Sequence, residues 1–278
     1  MSVIVFTIIV LIGSYFAGLL GSLTGLGGGF IIIPLLTLLL NVDIHYAIGA
    51  SLVSVIATSS GSAAAYVREG ITNMRLGMFL EIATTAGAMC GAIIAIYIPT
   101  NYIAVLFGLI LISSAILSLR NKTESIIRKK SYLAEKLKLN SNYPSNGGDV
   151  EYSVTRVGGG FVMMIFAGAI SGLLGIGSGA LKVIAMDTIM RIPFKVSTTT
   201  SNFMIGVTAS ASAVVYFQRG YIIPGLTMPI VIGVLLGAFT GSKILVNTSS
   251  SRWLRWTFAI MISFLAVQMI YHGIAGRM

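Results

Sequence analysis

Charge is what this sequence has least of: 9% of its 278 residues are Asp, Glu, Lys or Arg, where a soluble domain carries about 25%. So few ionic groups cannot build a water-facing surface, and a soluble globular protein is excluded. Cysteine is down to one residue, Cys90, so no intrachain disulfide forms. Its apolar surroundings read as packing rather than thiolate chemistry. His45 and His272 stand at segment ends without metal-ligand spacing, and no HExxH, nucleophile elbow, P-loop or CxxC run occurs. An enzyme, a resident metal and a cofactor therefore have no sequence support. No basic residue precedes the first apolar run and no cleavage pattern follows it, so the first helix is expected to be retained.

What is abundant is apolar: 56% of the residues are hydrophobic and the mean hydropathy is +0.94. About twenty apolar residues cross a bilayer as a helix. The uncharged runs are too long and too little alternating for the roughly ten-residue strands of a membrane barrel. Segments fall at about Val3 to Leu40, Ile44 to Val67, Leu76 to Ile98, Tyr102 to Leu119, Gly158 to Met190, Val196 to Phe217, Ile222 to Val246 and Trp253 to Tyr271. The fold class is an all-α integral membrane protein of about eight transmembrane elements in two groups of four. As one helix, Val3 to Leu40 would be roughly 60 Å long, about twice the hydrocarbon thickness, so it must break, tilt or turn back.

The two groups match each other. A constant offset of 150 pairs Gly18 with Gly168, Gly25 with Gly175, Gly27 with Gly177, Gly29 with Gly179, Ser51 with Ser201, Thr58 with Thr208, Tyr66 with Tyr216, Gly70 with Gly220, Gly87 with Gly237 and Gly91 with Gly241. Internal duplication is a common plan of secondary transporters, with the substrate site near the midplane between the repeats. The domains read as a first repeat over 1–119, a basic linker over 120–157 and a second repeat over 158–278.

The net charge of +10 is concentrated in loops beside the membrane segments, where the positive-inside rule puts it, and needs no nucleic acid. If every element crosses once, both termini and the 120–157 loop are cytoplasmic, together with Arg68, Arg75 and Arg219. Arg191, Lys195, Arg252 and Arg255 then fall on the other side, against the rule. A segment that turns back would instead invert the second repeat. Within the linker, ESIIRKKSYLAEKLKL reads as an interfacial helix or a solvated tether, and NSNYPSNGG as a turn-rich stretch.

The break in each first element is legible as TGLGGG, Thr24 to Gly29, and LGIGSG, Leu174 to Gly179. Glycines there release the backbone, and the amides of the helix that resumes would face an anion. The competing role is close helix packing. Lys182, three residues after Gly179, is the candidate to balance an anion's charge, or else an ion-pair partner of Glu81 or Asp187. Those two carboxylates are the proton-coupling candidates. Ser51, Thr200, Ser201 and Asn202 offer hydroxyls and an amide to an oxyanion, or capping and interhelical bonds.

GSLTGLGGGFIIIPLL, GLLGIGSGALKVIAMD and STTTSNFMIGVTASASA resemble the paired signatures of the sulfite exporter TauE/SafE family, over both halves of the chain. The resemblance implies a cell-membrane secondary transporter moving a small sulfur-containing anion such as sulfite or an organosulfonate, often outward. By it, the anion contacts map onto Gly25, Gly27, Gly28 and Gly29, onto Gly175, Gly177, Ser178 and Gly179, and onto the Ser201 region, with Lys182 nearby. Two positions depart from the repeat: Ser178 stands opposite Gly28, and Ile184 opposite Pro34, which makes the half-sites unequal. Alternating access around the anion is the expected mechanism. The partners are that anion, the lipid bilayer, protons as a candidate coupling ion and a second copy of the chain as a candidate neighbour, with no nucleic acid. The rival classes are an anion channel and a membrane-embedded sensor without flux.

Overall fold

The computed structural model describes residues 3–24, 27–68, 70–119, 131–145, 148–247 and 252–276. Among the described residues eleven α-helices form: α1 (Val3–Thr24), α2 (Gly29–Pro34), α3 (Ile44–Arg68), α4 (Met74–Ala95), α5 (Thr100–Leu119), α6 (Tyr132–Lys136), α7 (Val157–Leu174), α8 (Gly179–Ile184), α9 (Phe194–Gln218), α10 (Pro224–Asn247) and α11 (Arg252–Ile274). Five of them, α1, α3, α4, α7 and α10, contain a stretch long and apolar enough to cross a membrane. α9 matches α3 at 25 residues, but its Ser197–Asn202 run lowers its hydropathy; that run is mostly buried, while Val207, Val214 and Phe217 face outward. Cys90 is exposed, beside the exposed Met89, Ile93 and Ile94 on the outer face of α4. Its expected packing role is corrected, because this helix buries its opposite face.

The long first segment of each group turns back on itself. α2 continues through a π-helical turn, Leu35–Leu39, and α8 through Ala185–Ile189. Pro34 is matched by Ile184, so the shared shape of the two arms does not come from proline. A Cβ on Gly13 would stand 2.6 Å from the Leu35 side chain and one on Gly28 3.3 Å from Ala17 O, so α2 descends antiparallel along α1. In the second arm Gly160 meets Met190 in the same way. Each hairpin thus ends where it began. The positive-φ backbone positions recur at the same offset, at Gly27 and Gly177, Asn41 and Arg191, and Gly70 and Gly220.

Helices pair across the two groups through glycine. A Cβ on Gly87 would lie 2.1 Å from Ile165 O, one on Gly91 2.0 Å from Ala169 O and one on Gly168 2.1 Å from Thr84 O, so α4 and α7 touch backbone to backbone, running parallel. Gly237 and Gly241 do the same between α10 and α1, at 2.0 Å from Tyr15 O and 2.6 Å from Leu19 O, and Gly18 stands 2.2 Å from Val234 O. Without water to expel between them, membrane helices associate by such close van der Waals contact. α3 and α9 run antiparallel: His45 stacks on Tyr221 at 5.1 Å between ring centroids, and Gly206 faces Ser59. α5 and α11 are antiparallel as well, Gly108 meeting Ala266 and Ile270 while Gly273 meets Asn101.

These directions fix two ends. The start of α1, the Leu40–Ile44 turn, the α4–α5 turn, the α9–α10 turn and the end of α11 share one end. The α3–α4 turn, the linker, the turn before α9 and the start of α11 share the other. The start of α1 and the end of α11 are therefore at the opposite end of the bundle from the described linker residues, which corrects the common side expected for the termini and the linker. Arg191, Lys195, Arg252 and Arg255 join Arg68, Arg75 and the linker, while Arg219 goes with the termini. The physical reason is the hairpin: a segment that returns adds no crossing, so the parity of every later element changes.

The linker is neither a free tether nor all turn. Within it β1 (Ser141–Ser145) and β2 (Gly148–Tyr152) form an antiparallel hairpin, a small exception to an all-α chain, and the segment 120–130 lies outside the described residues. Ala134, Leu139, Tyr143, Tyr152 and Val154 are buried in one cluster with Leu76, Met186, Met190 and Val196. Asn73 is the hub. Its Oδ1 accepts from Leu76 N (3.0 Å) and its Nδ2 donates to Leu139 O and Tyr152 Oη (both 2.8 Å). Its backbone N–H donates to Thr200 Oγ1 (3.1 Å). Thr155 holds Met190 O through both its N–H and its hydroxyl, each at 3.1 Å.

Two outcomes are expected. With Cys90→Ala as background, Ser131→Cys and Ala275→Cys in sealed vesicles should react with an impermeant thiol reagent from opposite sides; reaction of both from one side would contradict the topology. Burial pushes the Tyr152 phenol from 10.0 up to about 12. The folded state thus favours the protonated phenol, so its contribution to docking is complete below pH 10 and is lost as pH rises through about 12. Protease cleavage of the linker should accelerate over that window in the wild type, and Tyr152→Phe should flatten the rise; an equal rise in both would refute the assignment.

Candidate functional site

The two hairpin tips meet midway along α3 and α9. A Cβ on Gly27 would lie 3.6 Å from Val55 and 3.9 Å from Ile205, and one on Gly177 2.6 Å from Ile205 and 3.1 Å from Val55. Gly27, Gly175 and Gly177 adopt φ of 79°, 67° and 72°, where a Cβ crowds the following carbonyl. Gly29 sits 3.2 Å, measured from a built Cβ, from Gly175 O, so tip touches tip. Gly28, at φ −72°, has ordinary helical geometry, whereas Ser178 takes φ 46°. The serine, not the glycine, holds the strained conformation, at a cost of about 1–2 kcal/mol. Gly25 lies outside the described residues.

Two of the hydroxyls expected to face a ligand hydrogen-bond the tips. Ser51 Oγ donates to Gly175 O at 2.8 Å, from one group of helices to the other. Ser201 Oγ donates to Gly179 O at 3.1 Å. Thr200 accepts the Asn73 N–H on the linker side, and Asn202 is buried on the same helix. Ser178 Oγ is different: it is buried and has no hydrogen-bond partner among the described residues.

Below the second tip, Lys182 is fully buried. Side chains on a helix lean toward its N-terminus, which carries the Lys182 ammonium back toward the tips. There Nζ donates to Thr208 Oγ1 at 2.5 Å, and Thr208 Oγ1 lies 2.6 Å from Glu81 Oε1, to which it donates. Thr85 also donates to Oε1, at 3.3 Å, one turn further along α4. Glu81 Oε2 is buried without a partner among the described residues. An ammonium in a dry interior must be balanced, because an isolated ion there costs many kcal/mol. Glu81, reached through one hydroxyl, supplies that balance. Asp187 is half-buried at the linker end of the returning arm, five residues beyond Lys182.

Thr208 is the residue that sequence reasoning missed. It was legible as the counterpart of Thr58 but not as the bridge between two charges, because α4, α8 and α9 are brought together only by the fold. The same offset turns Lys182 into Ile32 and Glu81 into Val231. Ile32 is fully buried, and Thr58 donates to Ser54 O at 2.7 Å. The first half therefore repeats the hydroxyl and neither charge.

Known proteins resemble this chain over nearly its whole length. Residues 10–269 match the family described as "Sulfite exporter TauE/SafE". "Probable membrane transporter protein YunE" of Bacillus subtilis is 30% identical over 277 residues, 97% of this chain and 98% of that protein. "Probable membrane transporter protein YdhB" of the same organism is 28% identical over 84% of this chain and 89% of that protein. A "Probable membrane transporter protein" of Xylella fastidiosa is 25% identical over 97% of both. No solved structure matches. The chain belongs to the sulfite exporter TauE/SafE family of membrane transporters.

Proposed function

We propose that the chain is a secondary transporter carrying a small sulfur-containing anion, such as sulfite or an organosulfonate, across the cytoplasmic membrane by alternating access. The observation that carries this reading is Lys182: a fully buried ammonium directly beneath two opposed, glycine-built breaks in the helices. Unwound backbone at membrane depth is tolerated where it lines a site. The left-handed Ser178 and its unpartnered hydroxyl lie one turn from Lys182 on the same arm. Gly27–Gly29 and Gly175–Gly179 would supply backbone amides. Ser51 and Ser201 would hold the tips in shape, and Thr200 and Asn202 would line the approach from the linker.

The architecture suits the mechanism. Residues 1–119 and 158–278 form two inverted repeats, with α3, α4, α5, α9, α10 and α11 as the full crossings and the α1–α2 and α7–α8 hairpins entering from opposite faces. The 120–157 linker is cytoplasmic, since the basic helix ends gather with it, and the termini face the other side. Full burial of Lys182, Ser178 and Thr208 suits a gated carrier rather than an open pore. On the linker side the gate is the Asn73 hub, which ties together α4, α9 and the linker.

Counterflow of labelled sulfite in proteoliposomes, at equal pH inside and out, tests the reading. Removing a charge-assisted contact of about 1.5–3 kcal/mol should raise half-saturation about 10- to 100-fold in Lys182→Ala, with Lys182→Arg less affected. Wild-type half-saturation in a Lys182→Ala protein that still elutes as folded would remove the ammonium from the site.

A further inference from the structure

Charge counting at the Lys182 site goes further than the anion itself. With the site empty, one ammonium and one carboxylate cancel through Thr208. A monoanion arriving at Lys182 leaves one uncompensated negative charge in a space from which water is excluded. Moving such a charge into a medium of low dielectric is prohibitive unless it is neutralised. The described cations nearby do not supply the balance. α7 carries no ionisable side chain over Val157–Leu174. On α9, Lys195 is exposed at the linker end and Tyr216 sits far toward the opposite end. On α4 itself, Arg75 is exposed at the linker end and Cys90 points outward. The returning arm adds only Asp187, a further acid, beyond Lys182.

Glu81 is built to take the compensating charge as a proton. Oε1 accepts from Thr208 and Thr85, whereas Oε2 is buried and accepts nothing among the described residues. A proton on Oε2 leaves both existing bonds intact. Neutral Glu81 no longer holds the Thr208 hydroxyl as strongly, and Lys182 is freed to face the anion.

Resting on the transporter reading above, we propose that this protein is an electroneutral symporter: each monoanion travels with one proton, the anion on Lys182 and the proton on Glu81 Oε2, with Thr208 coupling the two. The balance is simple. The carboxylate and one proton from the loading side become a carboxylic acid, and the same proton leaves on the other side with the anion. Empty and loaded sites both have zero net charge, so the membrane potential does no work on either step. The absence of both charges at Ile32 and Val231 restricts the carrier to one such site per chain.

The test uses the full chain in proteoliposomes with two labelled probes, sulfite and methanesulfonate; the latter remains a monoanion throughout the working pH range. Counterflow at equal pH is measured first. Net accumulation is then driven either by a pH gradient or by a potassium diffusion potential with valinomycin. One proton per anion sets accumulation at about tenfold per pH unit, with no response to potential. Glu81→Gln should lose the gradient response while Glu81→Asp keeps it, and Thr208→Ser should retain coupling that Thr208→Val weakens. Elution as folded protein is checked for each. Counterflow with potential-driven, gradient-insensitive accumulation overturns the symport alone, as does a full gradient response in Glu81→Gln. No counterflow of either probe overturns the anion reading and the symport with it.

Discussion

A lysine ammonium with no exposure to water is the constraint around which the middle of this protein is arranged. The ion can remain charged there only beside a group that compensates it, and the chain supplies one carboxylate on a different helix and a hydroxyl on a third. α4, α8 and α9 must therefore stay in register to within a hydrogen bond. Glycine seams provide that rigidity: Gly87 and Gly168 let α4 and α7 meet at backbone contact. α7 is the outgoing arm of the hairpin whose returning arm carries Lys182. A larger residue in this seam would push α4 away from α7 and disturb the register that holds the two charges.

The hairpins connect local chemistry to global topology. One break at a glycine run turns a segment of nearly forty residues into two antiparallel arms and removes a crossing from the count. That single change reverses the second group of helices, brings two tips face to face from opposite sides, and gathers the basic helix ends at the linker. The linker packs on one side only. Asn73 and Thr155 fasten it to the elements that carry Glu81, Thr208 and Lys182, and the opposite side has no inserted segment of that kind between α9 and α10.

Much of this was legible in the sequence. The offset of 150 was visible in glycines and hydroxyls, and the breaks fell within TGLGGG and LGIGSG, as α1 ends at Thr24 and α8 begins at Gly179. Lys182 and Glu81 stood out because charge is so scarce. What stayed hidden depended on direction or on long-range contact. Hydropathy registers length but not reversal, so the side assigned to the termini inherited an error of parity. The hydroxyls of Ser51 and Ser201 advertise hydrogen bonding without saying to what, and both turn out to hold carbonyls of a tip. Thr208 looked like one of many threonines, and NSNYPSNGG looked like pure turn because its pairing partner, Gly148–Tyr152, is itself polar and short.

The claim on which the rest depends is that an anion sits between the hairpin tips against Lys182. Selenite, a heavier analogue of sulfite, scatters anomalously, so diffraction from crystals of the protein grown with it locates the anion directly. The account predicts an anomalous peak within hydrogen-bond reach of Lys182 Nζ, beside Ser178 and the glycine tips, with the Lys182–Thr208 contact loosened. Selenite found only elsewhere, with Lys182 still bonded to Thr208 and the tips closed, would contradict it.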